Sequence, residues 1–462
     1  MENFKVLIIG GSVAGLTLAN CLERLEISYE ILEQSDDICP QLGIFDSVER
    51  VIEPLELARI CFPDGYFFRT TYPSIIRDHL GYPLSFLERQ KFLEILYNKL
   101  VYKDRVHTGQ TVLSIEDLGS HVVARTADRE YSGHLVVGAD GVHSIVRAEI
   151  WNQANQAKPG AIADSEKSAL RIEYACVYGI SSGVPGVQDG VQLSLLDHGV
   201  TIHVFSGRNT KVFWFVILKI ERYCYGDRPK FDTQDAREIC ESLKTKKIDS
   251  TLTFGDVWIS CDIFAMTPLE EGYFKTWHFG RLMCIGDAVR KMAPNFGQGA
   301  NMAIEDASAL ANALWKGDLG KGMAETRAME DIVRPLIASR LASTKNACRR
   351  SEFLARLQAG DGMVKRLFAR YIFPALHDIP SGSSAAILKG AERLEFVDLP
   401  ARAKLQHAGW TLAKSLGWLV GRRRILFLAC MGALFMSWAS DWVTTFVYVD
   451  AAERSLHEDQ PW

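Results

Sequence analysis

The stretch from Phe4 to Leu25 constrains the fold more tightly than any other part of the chain. A mostly apolar run, Phe4 to Ile9, meets Gly10, Gly11 and Gly15 within VLIIGGSVAGLTLANCLERL, and the residues from Leu16 onward are helix-like. Strand, tight turn and helix in that order open a Rossmann-type unit. Gly10 permits the sharp turn and Gly15 lets the helix pack close to the strand, while the helix N-terminus offers free N–H groups to a pyrophosphate. Ser12 stands where the GxGxxG pattern has its second glycine. Its Cβ crowds the phosphate while its hydroxyl is a donor, so the departure weakens the motif without removing it. A second strand, ISYEILEQ, ends at Glu33, 18 residues past Gly15. That is close to the roughly 20 residues expected for a carboxylate on a ribose hydroxyl.

Two further elements extend the pattern. In LVVGADGVHSIVR, the apolar Leu135 to Val137 lead into Gly138, Asp140 and Gly141, followed by Ser144 and Arg147. Alone this reads as a surface Asp-Gly turn; between the outer motifs it reads as a strand end at a ligand site. In RLMCIGDAVRKMAPNFGQGANMAIEDASAL, a short strand at 281–285 is followed by Gly286 and Asp287, and the stretch from Pro294 to Gly299 runs into a helix. Ala300, Ala303, Ile304, Ala307, Leu310, Ala311 and Leu314 recur at helical spacing, so one face of that helix is packed. Its N-terminus carries partial positive charge, suited to the pyrimidine edge of a reduced flavin. The three elements suit different parts of one dinucleotide, FAD, with Asp287 placed for the ribityl chain.

With GGSVAGLTLA, FLERQKFLEILY, LVVGADGVHSIVR and GDAVRKMAPNFGQGANMAIEDA, and an apolar C-terminal tail, nearly the whole chain resembles the FAD-dependent monooxygenases of the para-hydroxybenzoate hydroxylase fold. Within them it is similar to the fungal paxilline-type epoxidases of indole-diterpene and meroterpenoid biosynthesis. The resemblance implies an α/β fold: a Rossmann-type FAD-binding domain at 1–165, completed by 280–330, an inserted mixed β-sheet substrate domain at 166–279, a helical region at 331–408 and an apolar tail at 409–450. It implies that Gly10, Gly15, Glu33, Arg89, Asp140, Asp287 and Ala300 contact FAD, with Glu33 on the adenosine ribose and Arg89 near the pyrophosphate or ribityl group. Without the resemblance, Arg89 is an ordinary solvated residue of an amphipathic helix. The chain departs from the family after PQLG, where Gly43 and Ile44 pass directly into FDSVERVIEPL. It is about 15 to 20 residues shorter than the family's pattern there. Gly43 stands in for a backbone contact that the longer segment makes in relatives. A real deletion and a gene-model error both account for the gap.

Composition agrees with an enzyme of more than one domain. The 462 residues suffice for two lobes, and 52 basic against 56 acidic side chains argue against nucleic-acid binding as a main role. Ten cysteines lack CxxC or metal-ligand spacing, so reduced buried thiols are expected rather than disulfides or a metal site. The chain enters its first strand by residue 4, so no signal peptide is expected. VQLSLLDHGVTIHVFSG and TKVFWFVILK read as sheet strands. Phe213, Trp214 and Phe215 are candidates for pocket wall or sheet core, and alternation forbids all three from facing one side. Tyr178 is a candidate proton donor by position, with core packing as its plain alternative, and no catalytic acid is assigned. The segment 325–370 is helix-like, and a linker follows near IPSGSSAAILKG. Arg422 to Arg424 then precede a 425–449 stretch approaching the length of a membrane span, broken by Asp441. Trp438 and Trp442 suit an interface. A span, a shallow anchor and a buried hairpin all satisfy this pattern.

By resemblance the expected activity is oxygen transfer from dioxygen with NAD(P)H as reductant. Because only one Rossmann signature is present, NADPH is expected to bind transiently. The expected substrate is a prenylated small molecule epoxidised at a terminal alkene, with a terpene cyclase acting next. The expected location is the membrane, endoplasmic reticulum by analogy, with the catalytic body in the cytosol. Aromatic hydroxylation is one alternative. Another is a flavin-binding membrane protein without turnover, owing to the missing segment.

Overall fold

The computed structural model describes residues 4–35, 52–317, 326–376 and 391–398. Along the chain, β1 (Lys5–Ile9), α1 (Val13–Arg24) and β2 (Ser28–Leu32) come first, followed by β3 (Leu57–Cys61), β4 (Phe67–Thr70), α2 (Tyr72–Leu80), α3 (Arg89–Asn98) and β5 (Val106–His107). Next are β6 (Leu135–Gly138), α4 (Ile145–Ala157), β7 (Arg171–Ser182), β8 (Val191–Asp197), β9 (Val200–Ser206) and β10 (Lys211–Cys224). Then come α5 (Thr233–Ser242), α6 (Phe254–Ile259), β11 (Cys261–Tyr273), β12 (His278–Phe279), β13 (Leu282–Cys284), β14 (Arg290–Lys291), α7 (Gly299–Lys316) and α8 (Thr326–Gln358).

Two sheets organise these elements. A six-stranded sheet has the order β12-β13-β6-β1-β2-β5. Its pairs are parallel except β12 on β13. Val6, Leu7, Ile8, Val136, Val137 and Leu282 are buried at its centre, the near-continuous apolar strands expected of a parallel sheet covered on both faces. A small antiparallel sheet of Ser114–Asp117, Val122–Arg125 and Glu130–Gly133 precedes β6.

The second sheet has eight strands in the order β14-β11-β7-β10-β9-β8-β3-β4, antiparallel except for β8 on β3. Besides residues 166–279, it takes in two strands from 57–70 and the short β14. The 57–70 strands were not apparent from sequence. The outer face of this sheet buries Leu193, Leu195, Val204, Trp214 and Val216 against Phe254 and Trp258. Phe213 and Phe215 face the other way, with Phe205, Ile180, Phe86 and Leu55. Alternation therefore separates the three aromatics as expected: Trp214 is stacked edge-on to Phe254 and Trp258 in one core cluster, whereas Phe213, also buried, and Phe215 pack on the inner face.

The helical segment expected at 325–370 is α8 up to Gln358, after which the chain breaks at Gly360 and Gly362 and continues as a short helix over Met363–Leu367. No helix among the described residues is long and apolar enough to cross a membrane, and the candidate segment 425–449 lies outside them. So does Gly43, which falls in 36–51. The eight cysteines described are unpaired, and no metal-holding cluster occurs among the described residues.

Candidate functional site

The three glycine-bearing motifs meet at the carboxyl edge of the six-stranded sheet. Parallel register sets Ile9 beside Gly138 and Gly138 beside Cys284, so the turns that follow β1, β6 and β13 emerge side by side. Gly10 has φ +106°, and a Cβ there would lie 2.4 Å from the Ala139 carbonyl oxygen. A Cβ on Gly15 would lie 1.9 Å from the Gly10 carbonyl oxygen. No side chain fits at either position.

Glu33 follows β2 and turns its carboxylate onto the glycine turn. Its Oε2 accepts from the Gly11 N–H at 2.6 Å and its Oε1 from the Ser35 N–H at 2.9 Å. Arg89, the first residue of α3, donates from Nη2 to Ser12 Oγ at 2.7 Å. The departure at Ser12 and the arginine thus form one contact at the mouth of α1. Asp140 caps α4 through Oδ2, which accepts from Ile145 N–H at 2.8 Å and Val146 N–H at 3.3 Å, while Oδ1 is buried without a partner. Burial pushes this carboxyl's pKa up, against the Ser144 hydroxyl and the backbone N–H groups that favour its charged form.

Arg147 and Asp306 complete the edge, and neither role was read from sequence. Arg147 donates to the Val142 carbonyl at 2.8 Å and to the Ala288 carbonyl at 2.6 Å, joining the second motif to the third. Asp306 accepts from the Gly286 N–H at 2.9 Å, from Arg290 Nη2 at 2.6 Å and from Arg340 Nε at 2.9 Å. A carboxylate on the otherwise apolar face of a helix was the available signal. Gly286 is nested so closely that a Cβ would meet Ala14 of α1 at 3.2 Å and Ala303 of α7 at 3.3 Å. Asp287 is half-buried beside it and paired with Lys291. Ala300 is exposed in the first turn of α7, while Ala303, Ala307, Leu310, Ala311 and Leu314 are buried, as their spacing predicts.

Two helix N-termini that converge at this edge are open to an anionic ligand. Ser144 caps α4, and Asp232 and Thr253 form capping boxes on α5 and α6. α1 and α7, which converge at Gly286, have no side-chain cap and no acidic residue in the first turn, a state they share with α2 and α3. Their first N–H groups stay available for a ligand. Space is available too: a side chain added at Gly297, Gly299 or Gly141 would meet nothing within 4 Å.

Comparison with known proteins identifies the ligand. The FAD binding domain family matches residues 89–327. The FAD-dependent monooxygenase terM of Tolypocladium album is 64% identical over 463 residues, covering 96% of this chain and 97% of its own. The chain belongs to the FAD-dependent monooxygenases. A second relative, the FAD-dependent monooxygenase ltmM of Epichloe festucae, is 44% identical across 94% of this chain and 99% of its own. Among solved structures, Klebsiella pneumoniae HpxO complexed with FAD and uric acid superposes with a TM-score of 0.69 at 16% identity, covering 84% of this chain and 97% of that one. At that identity the likeness concerns the fold.

FAD fits this monooxygenase on its own geometry. Two uncapped helix N-termini, an orphaned buried carboxylate oxygen and glycines facing open space are what a dinucleotide requires. The alignment with terM also bears on chain length: 96% of 462 residues is about 444, about 19 fewer than the 463 aligned. The relative therefore carries residues that this chain lacks, similar in number to the shortfall after Gly43.

Proposed function

We propose that this FAD-dependent monooxygenase uses NADPH and dioxygen to epoxidise a terminal alkene of a prenylated terpenoid precursor. FAD, held by Gly10, Gly15, Glu33, Arg89, Asp140, Asp287 and the first turn of α7 at Ala300, supplies the activation of dioxygen when bound. The chain's own part is to hold the alkene, exclude water and keep competing bases away. One observation carries this reading: the inner face of the eight-stranded sheet is an aromatic wall. Phe86 stacks on Phe205 with centroids 3.9 Å apart, and Phe213 and Phe215 lie 6.2 and 5.9 Å from Phe86. Ala293, in the loop leading to α7, packs with Cys176, Ile217 and Phe215 of the same face, so the wall adjoins the third motif. Tyr178 lies directly opposite Phe215 and is 44% exposed. It belongs to the wall, not to the core.

An alkene requires no base, whereas hydroxylation of a phenol does. The histidine on this face, His203, is buried with its pKa down to about 4 and has partners on both ring nitrogens. That favours epoxidation over aromatic hydroxylation. An epoxide is in turn primed for acid-initiated cyclisation, so a terpene cyclase is the enzyme class proposed to act next. The apolar 425–449 segment is proposed to tether the enzyme to the endoplasmic reticulum membrane, with its body in the cytosol, where a long polyprenyl chain partitions. Turnover under ¹⁸O₂ tests the activity. The expected product gains one labelled oxygen at a terminal alkene. NADPH oxidation that yields only hydrogen peroxide across a panel of prenylated substrates refutes it.

A further inference from the structure

A single file of hydrogen bonds crosses the inner face of the eight-stranded sheet, from α2 to the loop that enters α7. Tyr72 Oη donates to Gln192 Oε1 at 2.5 Å, Gln192 Nε2 donates to Ser194 Oγ at 3.0 Å, and Ser194 Oγ lies 2.8 Å from His203 Nδ1. His203 Nε2 lies 3.2 Å from Oε1 of Gln358, the last residue of α8, and Asn295 Nδ2 donates to that same oxygen at 2.6 Å. Register accounts for the alignment: Ser194 faces His203 directly across β8 and β9, and Gln192 is two residues along on the same side. Gln192, Ser194 and His203 are all buried.

Donor and acceptor counting gives the file one polarity. Gln358 Oε1 can only accept, so His203 carries its proton on Nε2. Nδ1 then accepts from the Ser194 hydroxyl, whose oxygen accepts from the Gln192 amide. Burial lowers the His203 pKa to about 4, so the neutral tautomer persists at ordinary pH. At the far end, Asn295 Oδ1 is buried without a partner among the described residues. Asn295 itself belongs to the Pro294–Phe296 turn, directly before the open glycines.

We propose that His203 and Gln358 are positioning residues that hold Asn295, and with it the 294–299 loop, in one orientation toward the flavin ring. The file thereby couples the substrate sheet to the cofactor. The proposal rests on the reading that this loop meets the ring end of FAD. Gln358 acts as a double acceptor, which makes its substitutions informative: Gln358→Glu keeps both accepted bonds, and Gln358→Leu removes both.

The experiment uses the full chain loaded with FAD and reads the visible absorption band of the bound flavin, FAD affinity by fluorescence quenching, kcat and KM. Gln358→Leu is expected to weaken FAD binding about tenfold, because the bond that holds Asn295 is lost along with the one to His203, and to shift the band and lower kcat at unchanged substrate KM. Gln358→Glu is expected to stay within about threefold of wild type. His203→Leu, cut from the sheet side, is expected to reproduce the Gln358→Leu band shift, which covers the case where one variant fails to fold. A Gln358→Leu enzyme with wild-type band and affinity overturns the proposal, as does a Gln358→Glu enzyme equally impaired. Gly299→Leu is the control for the loop's placement. If it perturbs the flavin and Gln358→Leu does not, the positioning file alone fails; if neither does, the placement of the loop fails and takes the proposal with it.

Discussion

Backbone atoms, rather than side chains, hold the two most constrained residues of the cofactor turn. A methyl at Gly15 would penetrate the Gly10 carbonyl, so Gly15→Ala is expected to cost about 3 kcal/mol by overpacking and to abolish FAD retention, measured by urea unfolding and by flavin content after purification. His203 offers a test by titration. Its pKa falls from 6.5 to about 4 on folding, so between those values the unfolded chain binds more protons and stability rises with pH. The stabilisation is complete above pH 6.5 and is lost as pH falls toward 4. Between pH 7 and pH 5 the wild type should lose about 2 kcal/mol more than His203→Gln, measured by chemical denaturation at both values. Gly10, Gly15 and Glu33 were legible in the sequence because their roles are settled within one strand-turn-helix unit. The bond from Arg89 to Ser12 was not, because it spans 77 residues and each partner alone looks ordinary.

Among the elements, α7 does two jobs: its N-terminus faces the flavin site and its second turn anchors the Gly286 turn through Asp306. This carboxylate is 1% exposed and meets two arginines, Arg290 and Arg340, that are almost as deeply buried. Removing one partner of such a cluster leaves buried charge uncompensated. Asp306→Ala is expected to destabilise by about 3–5 kcal/mol and to weaken FAD binding, followed by urea unfolding and flavin titration; an effect under 1 kcal/mol would show that the cluster is not what holds the turn. Periodicity made the packed face of α7 readable, and alternation correctly divided Phe213 and Phe215 from Trp214. Tyr178 and the strands at 57–70 escaped it. Whether a strand residue faces a core or an open wall depends on what covers the sheet, and β3 joins through pairing with β8, more than 130 residues later in the chain.

Across the whole molecule, Met1–Lys404 forms one compact unit that contains every described residue of the proposed site. A chain ending at Lys404 is therefore expected to fold and bind FAD while losing membrane association, with fractionation and carbonate extraction of the two forms as the check. A truncated form that still pellets with membranes would place the membrane contact elsewhere. The order of the three motifs made the flavoprotein fold legible from sequence, since each must close on one dinucleotide. Of the wall above them, Phe213 and Phe215 were candidates from sequence, whereas Phe86 and Phe205 were not, because they come from segments far apart in the chain. The central claim, a working FAD-dependent monooxygenase despite the short segment after Gly43, is tested most directly by the visible spectrum of the purified protein before and after NADPH, with a prenylated substrate in air. The expected result is bound oxidised flavin that bleaches on reduction and a product carrying one added oxygen. A colourless protein that cannot be reconstituted with FAD would contradict it.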